Sequence, residues 1–517
     1  MEIFGVHSIS LKRNVIDNLE RATSLLLIVG YFVILRLSFE ELRFRESVTL
    51  KPPKTDTIKH MKYIYSTIAI LLLLVSCEPK DTKPAYDLKI SNVSIIDENG
   101  ALSSNKNVYL SNDSIYKIEE ISTLSDDKDG NVIDGSGKFL LLGFWDNHTH
   151  FRGGEALIPQ NEKFLEQFIK YGITTVRDAG GDLTTQVQQW NEEIKNKKRM
   201  GPTIYTSGPK LDGKNARWAG SIGVNTDDEI SKALDSLQQL GVDYVKLYDS
   251  TIARDTYLSI ITQAEERGMI TSGHMPFTVT LDKTITAGID NIEHLYYILK
   301  GCSSREKEIT QDIKDGKLGF WGSMEQLIAS YDEETAQSTF EKLKSNNVHV
   351  TPTLYIGDVL SYMDEVNHSD DAYLKTLDAD FIATYEGRNR GALNASPKAK
   401  QDRKELQQFF LKLVASLDKA GVNLLSGSDS GAYNSYTYPG PSLHGELEEM
   451  VRAGISPANA IATMYQGANF LHKKGYHLAA GNKADLVLLN SNPLLDISAT
   501  QDIHLVIKDG TIVHTEK

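Results

Sequence analysis

Two cysteines in 517 residues, Cys77 and Cys302, rule out a fold stapled by a disulfide framework. Basic residues are the minority, 55 Lys and Arg against 69 Asp and Glu, and they form no stripe along the chain. A formal charge of −14 without such a stripe argues against nucleic acid as a partner and for small molecules or peptides. Long apolar runs are also missing. Leu25–Leu37 and Ile68–Val75 are both too short to span a bilayer convincingly. What remains is an ordinary globular composition, 40% hydrophobic and 24% charged, enough for one large domain with an appended smaller one.

The second short run carries its own meaning. In "MKYIYSTIAILLLLVSCEPK", residues 61 to 80, Met61 and Lys62 give a basic start, Ile68 to Val75 an apolar centre, and Ser76-Cys77 a small-residue cleavage point. Leu74-Val75-Ser76-Cys77 looks like a bacterial lipobox, which implies cleavage before Cys77, lipid attachment to its thiol and a place in the bacterial cell envelope. An uncleaved hydrophobic anchor is the alternative. With Met61 as the start, residues 1–60 are an upstream extension, 61–77 the signal peptide and 78–85 a polar tether. Cys302 is then the sole thiol of the fold, read as a small buried apolar residue.

From Tyr86 the chain alternates apolar and polar residues between Gly, Asn and Asp turns, as half-buried strands do. The same style returns in "ADLVLLNSNPLLD" and "HLVIKDGTIVH". Residues 86–139 and 474–517 are therefore expected to share a small β-sandwich. Between them a phrase repeats: amphipathic helix, glycine, β-branched strand. Gly172, Gly241, Gly268, Gly288 and Gly421 fit helix ends that need positive φ. With "FLLLGFWDNHTH", "PTIYTSGPKL" and "HVTPTLYI" this makes eight strand–helix units, so the fold class is α/β, a (β/α)₈ TIM barrel over 140–473. Residues 301–339 and 356–404 exceed a minimal barrel and are expected to supply a lid.

In such a barrel the C-terminal strand ends converge on one mouth, however far apart they lie in sequence. His148 and His150 end the first strand two residues apart, so in extended chain they face one way and reach one metal. Lys246 ends "VDYVKLY", where an unpaired ammonium is costly to bury. His274 ends "MITSGH", His294 ends "NIEH", and Asp429 lies in "NLLSGSDSG". Each alone has a structural explanation, a core histidine, a snorkelling lysine or a helix cap. Five strands delivering six metal-competent groups to one rim have none in common except a site. His444, opening the helix after the eighth strand, and Arg217 are candidate substrate contacts, with a structural role the alternative for each. Arg177 and Asp178 are expected to pair as a floor beneath the site; the histidines at 349, 368, 472, 477, 504 and 514 are assigned nothing.

The words "GFWDNHTH", "GITTVRDAGG", "VDYVKLY", "SGH", "NIEH", "SGSDSG", "LHGELEEMVRAGISPANAIATMYQGA" and "GNKADLVLLNSNPL" together resemble the amidohydrolase superfamily. The likeness is greatest to its Xaa-Pro dipeptidase-like and imidazolonepropionase-like branch. It implies a binuclear metal centre, with His148 and His150 on the more buried ion, His274 and His294 on the more exposed one, and Lys246 carboxylated to a carbamate that bridges both. Asp429 would bind the buried metal and move protons. Zinc suits such nitrogen and oxygen donors. The implied reaction is hydrolysis of an amide C–N bond in a dipeptide, N-acyl amino acid or cyclic amide through a metal-bridging hydroxide. One departure stands out: "SGPKLDGKNARWAGSIGV" lacks the Gly-Gly-His run of many dipeptidase-like relatives and carries Arg217 and Trp218 instead. An arginine there can pair with a substrate carboxylate. A mononuclear deaminase of the same superfamily and a catalytically silent surface binding protein are the alternatives, and the sequence is compatible with a homo-oligomer.

Overall fold

The computed structural model describes residues 86–121 and 131–515, all within one compact unit, Lys83–Lys517. The signal-like segment, the tether and Cys77 lie outside the described residues. Among those described, no helix is long and apolar enough to cross a membrane.

The chain opens with β1 (Leu88–Ile96), β2 (Leu102–Ser111), β3 (Ser114–Glu120), β4 (Asn131–Asp134) and β5 (Phe139–Leu142). Nine parallel-paired strands follow: β6 (Phe144–Thr149), β7 (Ile173–Asp178), β8 (Thr203–Thr206), β9 (Leu211–Asp212), β10 (Ile222–Gly223), β11 (Val245–Leu247), β12 (Thr271–Gly273), β13 (Asn291–Glu293) and β14 (His349–Thr351). The chain closes with β15 (Leu486–Leu489), β16 (Ile503–Lys508) and β17 (Thr511–Thr515).

Both ends of the chain meet in one eight-stranded sheet, ordered β17-β16-β15-β5-β1-β2-β3 with β4 also on β1. It is a single hydrogen-bonded sheet of mixed direction, antiparallel where β5 meets β15 and parallel where it meets β1. Its hold on the core comes from Leu88, Ile90 and Val93 of β1 and Val108 and Leu110 of β2, all buried, while Ser91 and Asn92 of β1 and the first half of β2 remain more accessible.

β6 and β7 are buried along their whole length, as strands covered on both faces must be. The parallel strands run as β6-β7-β8 and as β10-β9-β11-β12-β13-β14. The expected eighth strand forms only single parallel bridges, Val350 to Leu424 and Thr149 to Ser430, which tie β14 and β6 to the same segment. All five punctuating glycines take positive φ. Gly241, at φ 66°, ends helix Asp227–Leu240, which begins in a capping box between Thr226 and Glu229. Cys302 is free and fully buried, and burial pushes its thiol pKa up. His349 is buried in β14.

Candidate metal centre

β6 ends by delivering His148 and His150 to one mouth, both buried. Lys246 comes from β11, His274 follows β12, His294 follows β13, and Asp429 follows the bridged segment. His150, Lys246, His274, His294 and Asp429 line a cavity of about 190 Å³, with His148 buried beneath them. Two local devices turn side chains inward. His294 and Asp429 adopt φ 70° and 52°, a left-handed conformation that ordinary residues hold only where the surroundings enforce it. The Asp429 N–H donates to the His148 carbonyl at 2.7 Å, which fixes that turn.

The hydrogen bonds decide which nitrogens are free. His150 Nδ1 lies 3.0 Å from the Gly180 carbonyl, an acceptor only, so Nδ1 carries the proton and Nε2 keeps its lone pair. That lone pair points at Asp429 Oδ1, 3.2 Å away. His274 Nδ1 is likewise held by Asp249 Oδ1 at 3.0 Å, while His294 Nδ1 lies 2.7 Å from Thr353 Oγ1, a hydroxyl that can donate or accept. The Nε2 atoms of His274 and His294 face one another at 3.0 Å. Both nitrogens of His148 are buried with no hydrogen-bond partner; Nε2 sits 3.4 Å from Asp429 Oδ1 and Nδ1 3.5 Å from Glu293 Oε1. Electron-pair donors aimed at one another across about 3 Å repel unless a cation lies among them. Two groupings qualify, His148 with His150 and Asp429, and His148 with Glu293 and His294.

Charge states agree. Burial pushes His148 down to about 4 and holds His150, His274 and His294 well below the ordinary imidazole value, so all four are neutral and able to ligate at pH 7. Burial, then the nearby charges of Lys210 and Arg177, holds the Lys246 ammonium well below its usual range. The shift favours the uncharged amine, the form that is nucleophilic toward carbon dioxide, as carboxylation requires. Burial acts to push Asp429 up, yet its carboxyl lies well below the ordinary value; the Asn434 amide donates to its Oδ1 at 2.7 Å, which favours the ionised form.

Several members escaped the sequence reading. Glu293, fully buried, contacts Lys246 Nζ and lies 3.6 Å from Arg177. The argument that singled out Lys246, a charge in an apolar strand, applies to it equally. Asp249 holds His274 and also accepts from the Tyr297 hydroxyl at 2.8 Å. Asn434 donates to Asp429 Oδ1 at 2.7 Å. Arg152, two residues beyond His150, continues the period of two that places His148 and His150 on one face.

Two expectations are corrected. His444 is buried away from the mouth, its Nε2 against the Tyr171 carbonyl at 3.1 Å and its Nδ1 against Thr500 Oγ1 at 2.8 Å; both nitrogens serve packing. Arg177 does not pair with Asp178. It donates to the Asn147 carbonyl, Ser272 and Thr351, with Glu293 as its carboxylate neighbour, while Asp178 accepts from Thr206 at 2.7 Å. Arg217 is exposed and lines an adjoining chamber. Of the two long excursions, 356–404 contributes Ile356, Leu360 and Arg388 to the cavity wall, whereas 301–339 contributes nothing among the described residues.

The chain belongs to the amidohydrolase family, whose pattern matches residues 139–513, and it is a hydrolase acting on C–N bonds. Members of that family generally work with divalent metals on small molecules, and the donor set described above fits such ions. Among solved structures, the fold is similar to that of a Xaa-Pro dipeptidase with methionine bound in its active site, at TM-score 0.60 and 18% identity, covering 82% of this chain and 99% of that one. It is similar also to a bottromycin amidohydrolase, at 0.63 and 18%, covering 82% and 86%. A prolidase complexed with N-methylphosphonate-L-proline gives 0.59 and 18%, covering 83% and 100%. None of the curated proteins compared with the chain matches it.

Proposed function

We propose that this protein is a binuclear metal amidohydrolase that cleaves the amide bond of a dipeptide, N-acyl amino acid or cyclic amide. The observation that carries the reading is the convergence of His148, His150, His274, His294 and Asp429 in one buried pocket, with both His148 nitrogens lacking a hydrogen-bond partner and the lone pairs of His150 and His274 turned inward. His148 and His150 would hold one ion with Asp429, His274 and His294 the other, and a carbamate on Lys246 would join them. Zinc is the favoured ion, since neutral imidazoles and anionic oxygens suit it. When bound, the ions supply Lewis acidity toward the carbonyl and make water a nucleophile near neutral pH.

The protein's own groups do the rest. Asp429, ionised and with Oδ1 fixed by Asn434, takes the proton of the attacking water. As the C–N bond breaks, it returns that proton to the leaving nitrogen, which departs as an amine. The exposed end of the pocket, walled by Tyr248, Tyr296 and Ile356, holds the remainder of the substrate. The proposal extends to architecture. The bridges at Thr149 and Val350, and the Asp243 N–H donated to the Thr206 carbonyl at 2.9 Å, support closure of the parallel strands into a (β/α)₈ barrel, with the terminal sheet packed as a sandwich. It extends also to place: a lipid on Cys77 would tether the enzyme to the bacterial envelope. The prolidase and Xaa-Pro dipeptidase likenesses support the dipeptide reading.

Elemental analysis of purified protein followed by a screen of dipeptides and N-acyl amino acids tests it. Two equivalents of metal and amide hydrolysis are expected. One equivalent with release of ammonia from an aminated ring would favour the deaminase, and metal without turnover a binding protein.

A further inference from the structure

Beside the metal cavity lies a second chamber of about 460 Å³, and the two share Arg152, Trp218 and Arg388 in their walls. Its charge is one-sided. Arg152, Lys210, Arg217 and Arg388 line it against one carboxylate, Asp182, whose Oδ1 already accepts from the Gly153 N–H at 2.9 Å. Three of those cations crowd a single indole: Arg152 Cζ lies 4.5 Å from the Trp218 ring centre, Lys210 Nζ 5.3 Å and Arg217 Cζ 5.6 Å. Arg152 and Lys210 are only 5% and 2% exposed. Arg152 commits its Nε–H to the Ala432 carbonyl at 2.8 Å. Lys210, Arg217 and Arg388 have no salt-bridge partner among the described residues.

Such crowding is expensive without an anion. An aromatic face offsets only part of the repulsion among like charges, and Arg152 and Lys210 have in addition lost water on burial. Burial and the neighbouring Arg152 accordingly push the Lys210 ammonium down to about 7. A single carboxylate would be matched by one guanidinium fork and leave the chamber still strongly positive. Two carboxylates on one residue come nearer to balance, and the chamber has room for such a residue.

We propose that this chamber receives the leaving-side residue of the substrate, and that this residue is acidic: an aspartyl or glutamyl unit whose α-carboxylate and side-chain carboxylate meet Arg152, Lys210, Arg217 and Arg388 while its amide bond lies over the adjoining cavity. The position of the amide rests on the amidohydrolase reading; the anion chamber does not.

Calorimetry on the metal-loaded full chain, with L-glutamate against L-glutamine, tests the chamber directly. Glutamate should bind at least about tenfold more tightly, and the double variant Arg217→Met, Arg388→Met should lose most of that preference while keeping a native melting temperature. Equal affinity for the two amino acids, or a double variant that binds glutamate as the parent does, overturns the proposal. A parallel measurement of kcat/KM for N-acetyl-L-glutamate and N-acetyl-L-glutamine should give the same preference and the same collapse in the variant. Selective glutamate binding without hydrolysis of either compound would uphold the anion chamber and overturn the placement of the scissile amide of such a substrate over the neighbouring cavity.

Discussion

Asp429 is held by three separate constraints: a left-handed backbone, the His148 carbonyl behind its N–H, and Asn434 on Oδ1. Asp429→Asn keeps the shape and removes the base. Turnover should fall at least about 100-fold with melting temperature little changed, and near-parental rates would remove Asp429 from proton transfer. Lys246→Ala should abolish stoichiometric metal and activity, with part of the activity returning on addition of short carboxylates. Elemental analysis is the check, because two retained equivalents would exclude a lysine bridge. Away from the site, Glu446 is fully buried, and burial raises its carboxyl to about 8 despite the Tyr355 N–H donated to it at 2.8 Å. Its folded pKa thus lies above its unfolded value. The stability it contributes is present in full below pH 4.5 and is lost as pH rises through about 8. Glu446→Gln should flatten the fall in stability over that window, by up to roughly 1.4 kcal/mol per pH unit, in denaturant melts run across pH 5–9.

At the scale of elements, the site depends on how helix Pro457–Phe470 presses on β6. A Cβ placed on Gly467 would lie 1.8 Å from Asn147 Oδ1 and 2.8 Å from Trp145. Asn147 is the residue before His148 and donates to the Met464 carbonyl at 2.9 Å. Gly467→Ala should therefore lower metal affinity as well as melting temperature, although the helix touches no ligand. Gly241→Ala provides the contrast. Nothing lies within 4 Å of its Cβ position, so only the positive φ is penalised, and a loss of about 1 kcal/mol with unaltered metal content is expected. The repeated helix–glycine–strand phrase was legible because each unit carries its own punctuation. The weak pairing of the eighth strand, reduced to single bridges, was not legible, because it depends on neighbours over 70 residues away, as Leu424 on Val350 and Ser430 on Thr149; the two-residue β9 and β10 were too short to carry a period.

For the whole molecule, the six candidate ligands come from segments between residues 148 and 429, so bound ions would act as cross-links between distant parts of the chain. Chelation of the metal-loaded protein should lower its melting temperature by roughly 5 °C or more, and restoring the ion should restore it. An unchanged melt after verified metal loss would mean that the lone pairs of His148 and His150 are satisfied in some other way. The sequence by itself determined the alternation of helix and strand, the family, and five strand ends bearing metal-competent groups, because these depend on local periodicity and on short motifs read in order. Only the tertiary structure decided that His444 packs against Tyr171 and Thr500 instead of facing the mouth, and that Glu293, Asp249 and Asn434 stand behind the ligands. It alone also gathered Arg152, Lys210, Arg217 and Arg388 around one chamber. The reason is physical. Which side chains share a buried pocket is fixed by the twist and register of strands far apart in sequence, and by backbone turns such as that at His294 that reverse the alternation a strand would impose.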